Sequence, residues 1–260
     1  MVAELLKVNH LTVRFGGLIA VNDVDFSIFP EEIVSLIGPN GAGKTTTFHA
    51  ITGFLGKSAG KVEFEGQDLG HMKPHQIAEK GIIRTFQITS LFPNLSVLEN
   101  IRTGHHMKES ETLLDAVFNT KRKRAVEDEA LARTMEILKF IGLEGKKEVV
   151  ANGLPYGEQR LLEIGIALAA NPKLLLLDEP SAGLNDTETQ GMKELIKKMR
   201  ARSITILLVE HDMKLVRGIS DRIIVLNFGK KIATGTPDEI RRNPDVIKAY
   251  LGERRRDVKS

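Results

Sequence analysis

Residues 33–46 read IVSLIGPNGAGKTT, and the fold turns on them. IVSLI is an unbroken apolar run, which suits a strand buried on both faces of a parallel sheet. GPNGAGKT then satisfies the spacing G-x-x-x-x-G-K-[ST], and a helix pattern follows from about Lys44. Strand, glycine loop and helix in that order are the setting this spacing requires. The glycines let successive backbone N–H groups curl around phosphate oxygens. The helix start adds partial positive charge, and Lys44 adds a full one beside the β and γ phosphates. The Thr45 hydroxyl is placed to ligate Mg²⁺. Gly38, Pro39, Asn40, Gly41, Ala42, Gly43, Lys44, Thr45 and Thr46 are therefore the candidate nucleotide-binding residues.

Upstream, LLKVNHLTVRF and VDFSIF are separated by the turn residues Gly16-Gly17 and Asn22-Asp23, a pattern that predicts an antiparallel sheet. Downstream come the strand KVEF, a helix near 74–80 and the strand GIIRTF at 81–86. Beyond residue 157 the periodicity predicts a helix at 158–170, strand KLLLL at 173–177 and a helix near 187–201. Strand TILLV at 205–209, a helix at 212–219, strand RIIVL and a short helical tail complete the chain. Buried strands alternating with helices give an α/β sheet wrapped on both faces. Between 88 and 157 candidate helices, SVLENIR and KRKRAVEDEALARTMEILKFIG, replace strands. The expected division is thus an α/β core with an N-terminal β subdomain, residues 1–87 and 158–260, and an inserted helical subdomain, residues 88–157.

The 260 residues, 42% hydrophobic and 27% charged, are enough to bury a sizeable core. A net charge of +3 implies neither nucleic acid nor an anionic membrane as a partner. The absence of cysteine excludes a disulfide framework and a thiolate zinc site. MVAELLKVNH lacks the apolar segment of a secretion signal, and no run approaches the roughly 20 apolar residues that span a bilayer. A membrane role has to come through another polypeptide. KRKR at 121–124 and RRR at 254–256 read first as solvated charge.

Three further strands end in polar residues. LLLLDEP at 174–180 delivers Asp178 to a strand end, where a carboxylate can hold Mg²⁺. Glu179 follows and can act as general base toward an attacking water. Gln87 follows IIRTF, within reach of the metal or the water, and His211 follows LLVE, able to bond the γ-phosphate. Ligands of open α/β sheets collect at such strand ends.

GPNGAGKTT, Gln87, LPYGEQR, LLLLDEP, AGLND and EHD, in that order, resemble the ATP-binding cassette of ABC transporters over nearly the whole chain. The resemblance implies a P-loop NTPase core that binds ATP and Mg²⁺ and works in head-to-tail pairs. Leu154, Pro155, Tyr156, Gly157, Glu158 and Gln159 then correspond to the family's signature, usually LSGGQ, which faces the partner's ATP. Ala182, Gly183, Leu184 and Asn185 correspond to the loop that positions the opposite site. Phe15 matches the aromatic on which the family stacks adenine, with core packing as the other reading.

Two positions depart from the family. Pro155 stands in place of serine and offers neither hydroxyl nor N–H. Its loss of a charge-assisted bond to phosphate is worth about 1–3 kcal/mol, unless the backbone of Tyr156 and Gly157 supplies most of the contact. Asn185 stands where an aspartate is common.

The longer wording, ITGFL, GIIRTFQ, YGEQR, EHDMKLV and NPDVIKAYLG, resembles the ATPase of branched-chain amino acid uptake systems. That implies a second cassette, two integral-membrane permeases and an extracytoplasmic binding protein, with this subunit peripheral on the cytoplasmic side. ITSLFPNLSVLEN, with Phe92 and Leu95, is the expected permease contact. Relatives for urea and amides or for lipopolysaccharide export are the alternatives. A soluble nucleic-acid ATPase is a third, but the long coiled coil or second cassette of such proteins is absent from this sequence.

Overall fold

In a computed structural model the described residues are 3–85, 91–105 and 121–257, with backbone alone for 121–127 and 251–257. Ten strands form two sheets among them. β1 (Leu6–Phe15) and β2 (Leu18–Ile28) pair antiparallel about the Gly16-Gly17 turn, whereas Asn22 and Asp23, read as turn residues, fall inside β2; the pair joins β4 (Ala59–Phe64) and β5 (Gln67–Asp68) in the order β2-β1-β4-β5. The larger sheet holds β3 (Ile33–Ile37), β6 (Ile82–Arg84), β7 (Leu174–Asp178), β8 (Thr205–Val209), β9 (Arg222–Asn227) and β10 (Lys230–Gly235), in the order β10-β9-β3-β8-β7-β6. Its pairings are parallel except for the β9–β10 edge.

The unbroken apolar runs have a simple cause. In β7, Leu174 and Leu176 belong to a core shared with the small sheet, whereas Leu175 and Leu177 belong to the core under the helices. In β8, Leu207 and Val209 face the first core, and Ile206 and Leu208 face the second. Side chains alternate across a strand, so a sheet covered on both faces needs apolar residues at every position. Each leucine so buried contributes about 1.5–3 kcal/mol relative to an exposed one.

The helices are α1 (Lys44–Ile51), α2 (Pro74–Glu79), α3 (Val97–His105), α4 (Lys121–Ile141), α5 (Tyr156–Ala169), α6 (Asp186–Arg200), α7 (Met213–Ile219), α8 (Pro237–Arg242) and α9 (Pro244–Asp257). α3, α4 and α5 pack on one another, and their apolar faces share the second core.

Several details differ from the sequence reading, among them β5, a two-residue exposed strand that no apolar run announces. α5 begins at Tyr156 and not at 158, because Pro155 (φ −54°, ψ 151°) already sets the extended geometry that precedes a helix. β10 was not foreseen: KKIATG is an edge strand with no fully buried residue, so it lacks the apolar signature of its neighbours. The tail is two helices, separated at Asn243 and each opened by a proline at its first position. No helix among the described residues is long and apolar enough to cross a membrane.

Candidate functional site

Leu36, Val209 and Asp178 lie side by side in register across β3, β8 and β7. Just past this row each strand leaves the sheet, so Gly38, Glu179 and His211 emerge along one edge. Parallel pairing thus assembles residues more than 170 positions apart, and β6 brings its own end to the same edge.

The phosphate loop is built around glycine. Gly38 has φ +153°, and a Cβ there would lie 2.1 Å from the Leu226 carbonyl oxygen; at Gly43, φ +100°, it would lie 2.6 Å from that of Ala20. Both obstacles are backbone, so no side chain is tolerated. The Gly229 N–H donates to Ala42 O at 3.0 Å, tying the loop to the β9–β10 turn. Lys44 is buried, and its Nζ donates to Gly38 O at 2.7 Å and to Pro39 O at 3.0 Å, which lays the ammonium along the loop. The start of α1 has no side-chain cap and no acidic residue in its first turn. That is the electrostatic requirement of an anion site. Asn40, Gly41 and Thr45 are exposed and Thr46 is half-buried. Phe15 is 48% exposed at the end of β1, which removes the core-packing reading.

Asp178 is buried at the end of β7. Its Oδ2 accepts from Arg84 Nη2 at 2.7 Å, whereas Oδ1 is buried with no hydrogen-bond partner among the described residues. A buried carboxylate oxygen without a donor is costly and calls for a ligand. Beside an anion loop, a carboxylate and a hydroxyl such as Thr45 fit a hydrated divalent cation of the Mg²⁺ kind, which takes oxygen ligands. Gln87, the third candidate ligand, lies outside the described residues.

Glu179 follows in the left-handed region, φ +50°, with its N–H donated to Val209 O at 2.9 Å. A non-glycine residue there costs about 1–3 kcal/mol, and such strain gathers at functional sites. The turn brings Glu179 Oε1 to 2.9 Å from His211 Nε2. A carboxylate paired with an imidazole at the mouth of an anion loop can accept a proton from water.

Glu210, which sequence reasoning missed, braces this pair. It is buried and accepts from Ser181 N at 2.9 Å, Ser181 Oγ, His211 N at 2.8 Å and Asp212 N at 3.1 Å. The loop after β7 is thereby locked to the end of β8. The available signal was a carboxylate directly abutting the apolar run TILLV. Asn100 was also missed. Fully buried, its side chain accepts from Phe92 N at 2.9 Å and donates to the carbonyls of Phe92, Leu95 and Ser96. It holds the loop on which Phe92 stands exposed.

Residues 154–159 lie apart from this edge. Leu154 is buried, and Pro155 is the N-cap of α5 without a side-chain cap bond. The N–H groups of Tyr156 and Gly157 have no acceptor among the described residues. The side chains are otherwise engaged: Tyr156 Oη accepts from Arg160 at 2.7 and 3.0 Å, Glu158 pairs with Lys146 at 2.6 Å, and Gln159 Nε2 donates to Leu154 O at 2.9 Å. The loop 182–185 packs against this turn. A Cβ on Gly183 would lie 2.8 Å from the Tyr156 ring, and one on Gly157 would lie 2.5 Å from Glu188 Oε1. Asn185 caps α6 by accepting from Glu188 N at 3.0 Å, a bond that aspartate would make equally well.

A sequence model of the ABC transporter family matches residues 21–182, and one of the branched-chain amino acid ATP-binding cassette transporters matches residues 230–255. The Escherichia coli K12 high-affinity branched-chain amino acid transport ATP-binding protein LivG is 49% identical over 254 residues, covering 97% of this chain and all of LivG. Its Pseudomonas aeruginosa counterpart BraF is 45% identical over the same coverage. Among solved structures, an ABC transporter cassette in its ADP conformation superposes with a TM-score of 0.84 at 31% identity, covering 96% of this chain and 99% of the other. Phosphate loop, buried strand-end carboxylate and glutamate–histidine pair thus stand on a shared fold: the chain belongs to the ABC transporter family, as one of its ATP-binding, ATP-hydrolysing subunits.

Proposed function

We propose that this ATPase powers the uptake of branched-chain amino acids. It acts as one of two cassettes seated against two integral-membrane permeases, peripheral on the cytoplasmic side, with an extracytoplasmic binding protein delivering the substrate and no nucleic acid involved. The match of residues 230–255 to the branched-chain cassette model favours this cargo over lipopolysaccharide or amides.

The observation that carries the mechanism is the 2.9 Å contact between Glu179 and His211 beside the phosphate loop. Lys44 and the loop N–H groups grip the β and γ phosphates of ATP, and Phe15 stacks on the adenine. Thr45 and Asp178, with Gln87, would hold Mg²⁺, which would neutralise charge on the phosphates. Glu179 takes the proton of the attacking water, while His211 orients that carboxylate and bonds the γ-phosphate. The N–H groups of Tyr156 and Gly157, at the start of α5, close over the ATP held by the partner cassette, with the 182–185 loop beside them. Loss of the γ-phosphate removes what both faces grip, and the pair opens as rigid bodies that the permeases follow through Phe92 and Leu95. The inserted helical subdomain, 88–157, carries this coupling surface.

The test is reconstitution of the chain in vesicles with a second cassette, two permeases and a binding protein of a branched-chain amino acid uptake system. ATP turnover and uptake should rise on adding leucine, isoleucine or valine with the binding protein. Stimulation by urea or amides alone, or turnover unmoved by any amino acid, overturns the cargo assignment.

A further inference from the structure

Arg84 sits in β6, opposite Leu176 of β7, where no charged residue is needed for packing. The side chains of Arg84 and Asp178 are 5% and 0% exposed, and Nη2 lies 2.7 Å from Oδ2. The same strand end grips Asp178 through its main chain: Thr85 N donates to Leu176 O at 3.0 Å, and Asp178 N donates to Thr85 Oγ1 at 3.4 Å. The guanidinium also lies 5.7 Å from the ring centroid of Phe48, on the helix that begins with Lys44 and Thr45. One side chain therefore ties β6 and β7 to the helix of the phosphate loop. The neighbouring His49 is pushed below its usual range, first by burial and then by the charge of Arg84.

A buried carboxylate requires a counter-charge, and removing one partner of such a pair leaves the other stranded. A rigid planar guanidinium also fixes direction, which a flexible ammonium does not. Held at Oδ2, Asp178 is fixed in direction, and its buried Oδ1 is the oxygen with no hydrogen-bond partner among the described residues.

We propose that Arg84 is the positioning residue for the divalent cation that accompanies ATP: it fixes the Asp178 carboxylate so that Oδ1 is the oxygen presented to the cation. This rests on the assignment of Asp178 to the cation above. In this role Arg84 acts through Asp178. Partners that orient a ligand in this way typically tune metal affinity rather than nucleotide affinity.

The experiment measures binding of a fluorescent ATP analogue to the full chain, titrated with Mg²⁺ and, separately, in EDTA. Arg84→Lys retains the buried charge but loses the planar fork, so it tests direction in a folded protein; Arg84→Gln removes the charge as well. In Arg84→Lys the half-saturating Mg²⁺ should rise about 10–100-fold, with affinity in EDTA held within about twofold. Arg84→Gln, where its melting curve shows it folded, should move further the same way. An unshifted Mg²⁺ curve in Arg84→Lys, or an equal loss of affinity with and without Mg²⁺, overturns the proposal. Asp178→Asn separates the two layers. If it raises the Mg²⁺ requirement while Arg84→Lys does not, the role of Arg84 alone is wrong; if it too leaves the curve unmoved, the assignment of Asp178 falls and takes this one with it.

Discussion

Around the phosphate loop, polar groups are held by other groups of the same chain. Lys44 rests on Gly38 and Pro39, Asp178 on Arg84, Glu179 on His211, and Glu210 on four donors of two loops. Around residues 154–159 the side chains of Tyr156, Glu158 and Gln159 are satisfied locally, but the N–H groups of Tyr156 and Gly157 at the helix start have no acceptor among the described residues, and Tyr156 is 43% exposed. The first region is organised before any ligand arrives, and its strain is fixed by a buried network. The second offers backbone N–H groups that no acceptor among the described residues takes up. Such a helix start is the kind that an anion satisfies.

The comparison can be broken at the organised end first. Glu179→Gln should slow phosphate release from ATP by about 10²–10⁴-fold while nucleotide binding is kept, since only the proton acceptor is lost. Hydrolysis at the original rate removes Glu179 from its role. Glu210→Ala should act by a different route. It strands the Ser181, His211 and Asp212 N–H groups, so a denaturant melt should show a loss of about 1–3 kcal/mol. Turnover should fall with it as His211 loses its anchor, whereas ATP affinity should hold. A variant as stable and as active as the parent would mean that the brace is incidental.

The surface end gives a smaller and opposite effect. Pro155→Ser restores a hydroxyl and an N–H beside Tyr156. If the second region is limited by missing donors, turnover of the assembled cassette pair should rise severalfold, within the limit set by one charge-assisted bond of about 1–3 kcal/mol. Unchanged turnover and ATP affinity would show that the Tyr156 and Gly157 backbone already suffices.

The smallest effect should leave both regions alone. His10 lies on β1 of the small sheet, its imidazole raised above its usual range first by the hydrogen bond to Asp23 and then by the charges of Asp25 and Asp23. A raised folded value means that protonation stabilises the fold. The contribution is fully present below 6.5, the unfolded value, and is lost as pH rises through the folded one. Melting temperatures of the parent and His10→Asn should therefore differ slightly in acid and converge in alkali, with ATP turnover equal throughout. The exposed ring makes the difference small.

Much of the site was legible because its chemistry is local. The loop at 38–46 declares itself by spacing, and Asp178, Glu179 and His211 by their place just after apolar runs. Arg84, Asn100 and Glu210 were not legible, although Asn100 and Glu210 are buried and the side chain of Arg84 nearly so. A lone Arg, Asn or Glu at a strand end or helix turn looks like solvent-facing punctuation until its partners, 94, 8 and 29 residues away, are in place. The same holds for β10, whose pairing with β9 supplies what its own residues do not announce.

By itself the sequence determined most strands and helices of the core and the order in which they follow, the covering of the large sheet on both faces, and the phosphate loop, because backbone propensity, side-chain alternation and glycine spacing act within a few residues. Only the tertiary structure decided which oxygen of Asp178 is held by Arg84, that Glu179 meets His211, and that the N–H groups at the Tyr156 helix start find no acceptor among the described residues. Those outcomes depend on register between parallel strands joined through distant crossovers. A shift of one residue in that register would turn each of these side chains to the other face of the sheet.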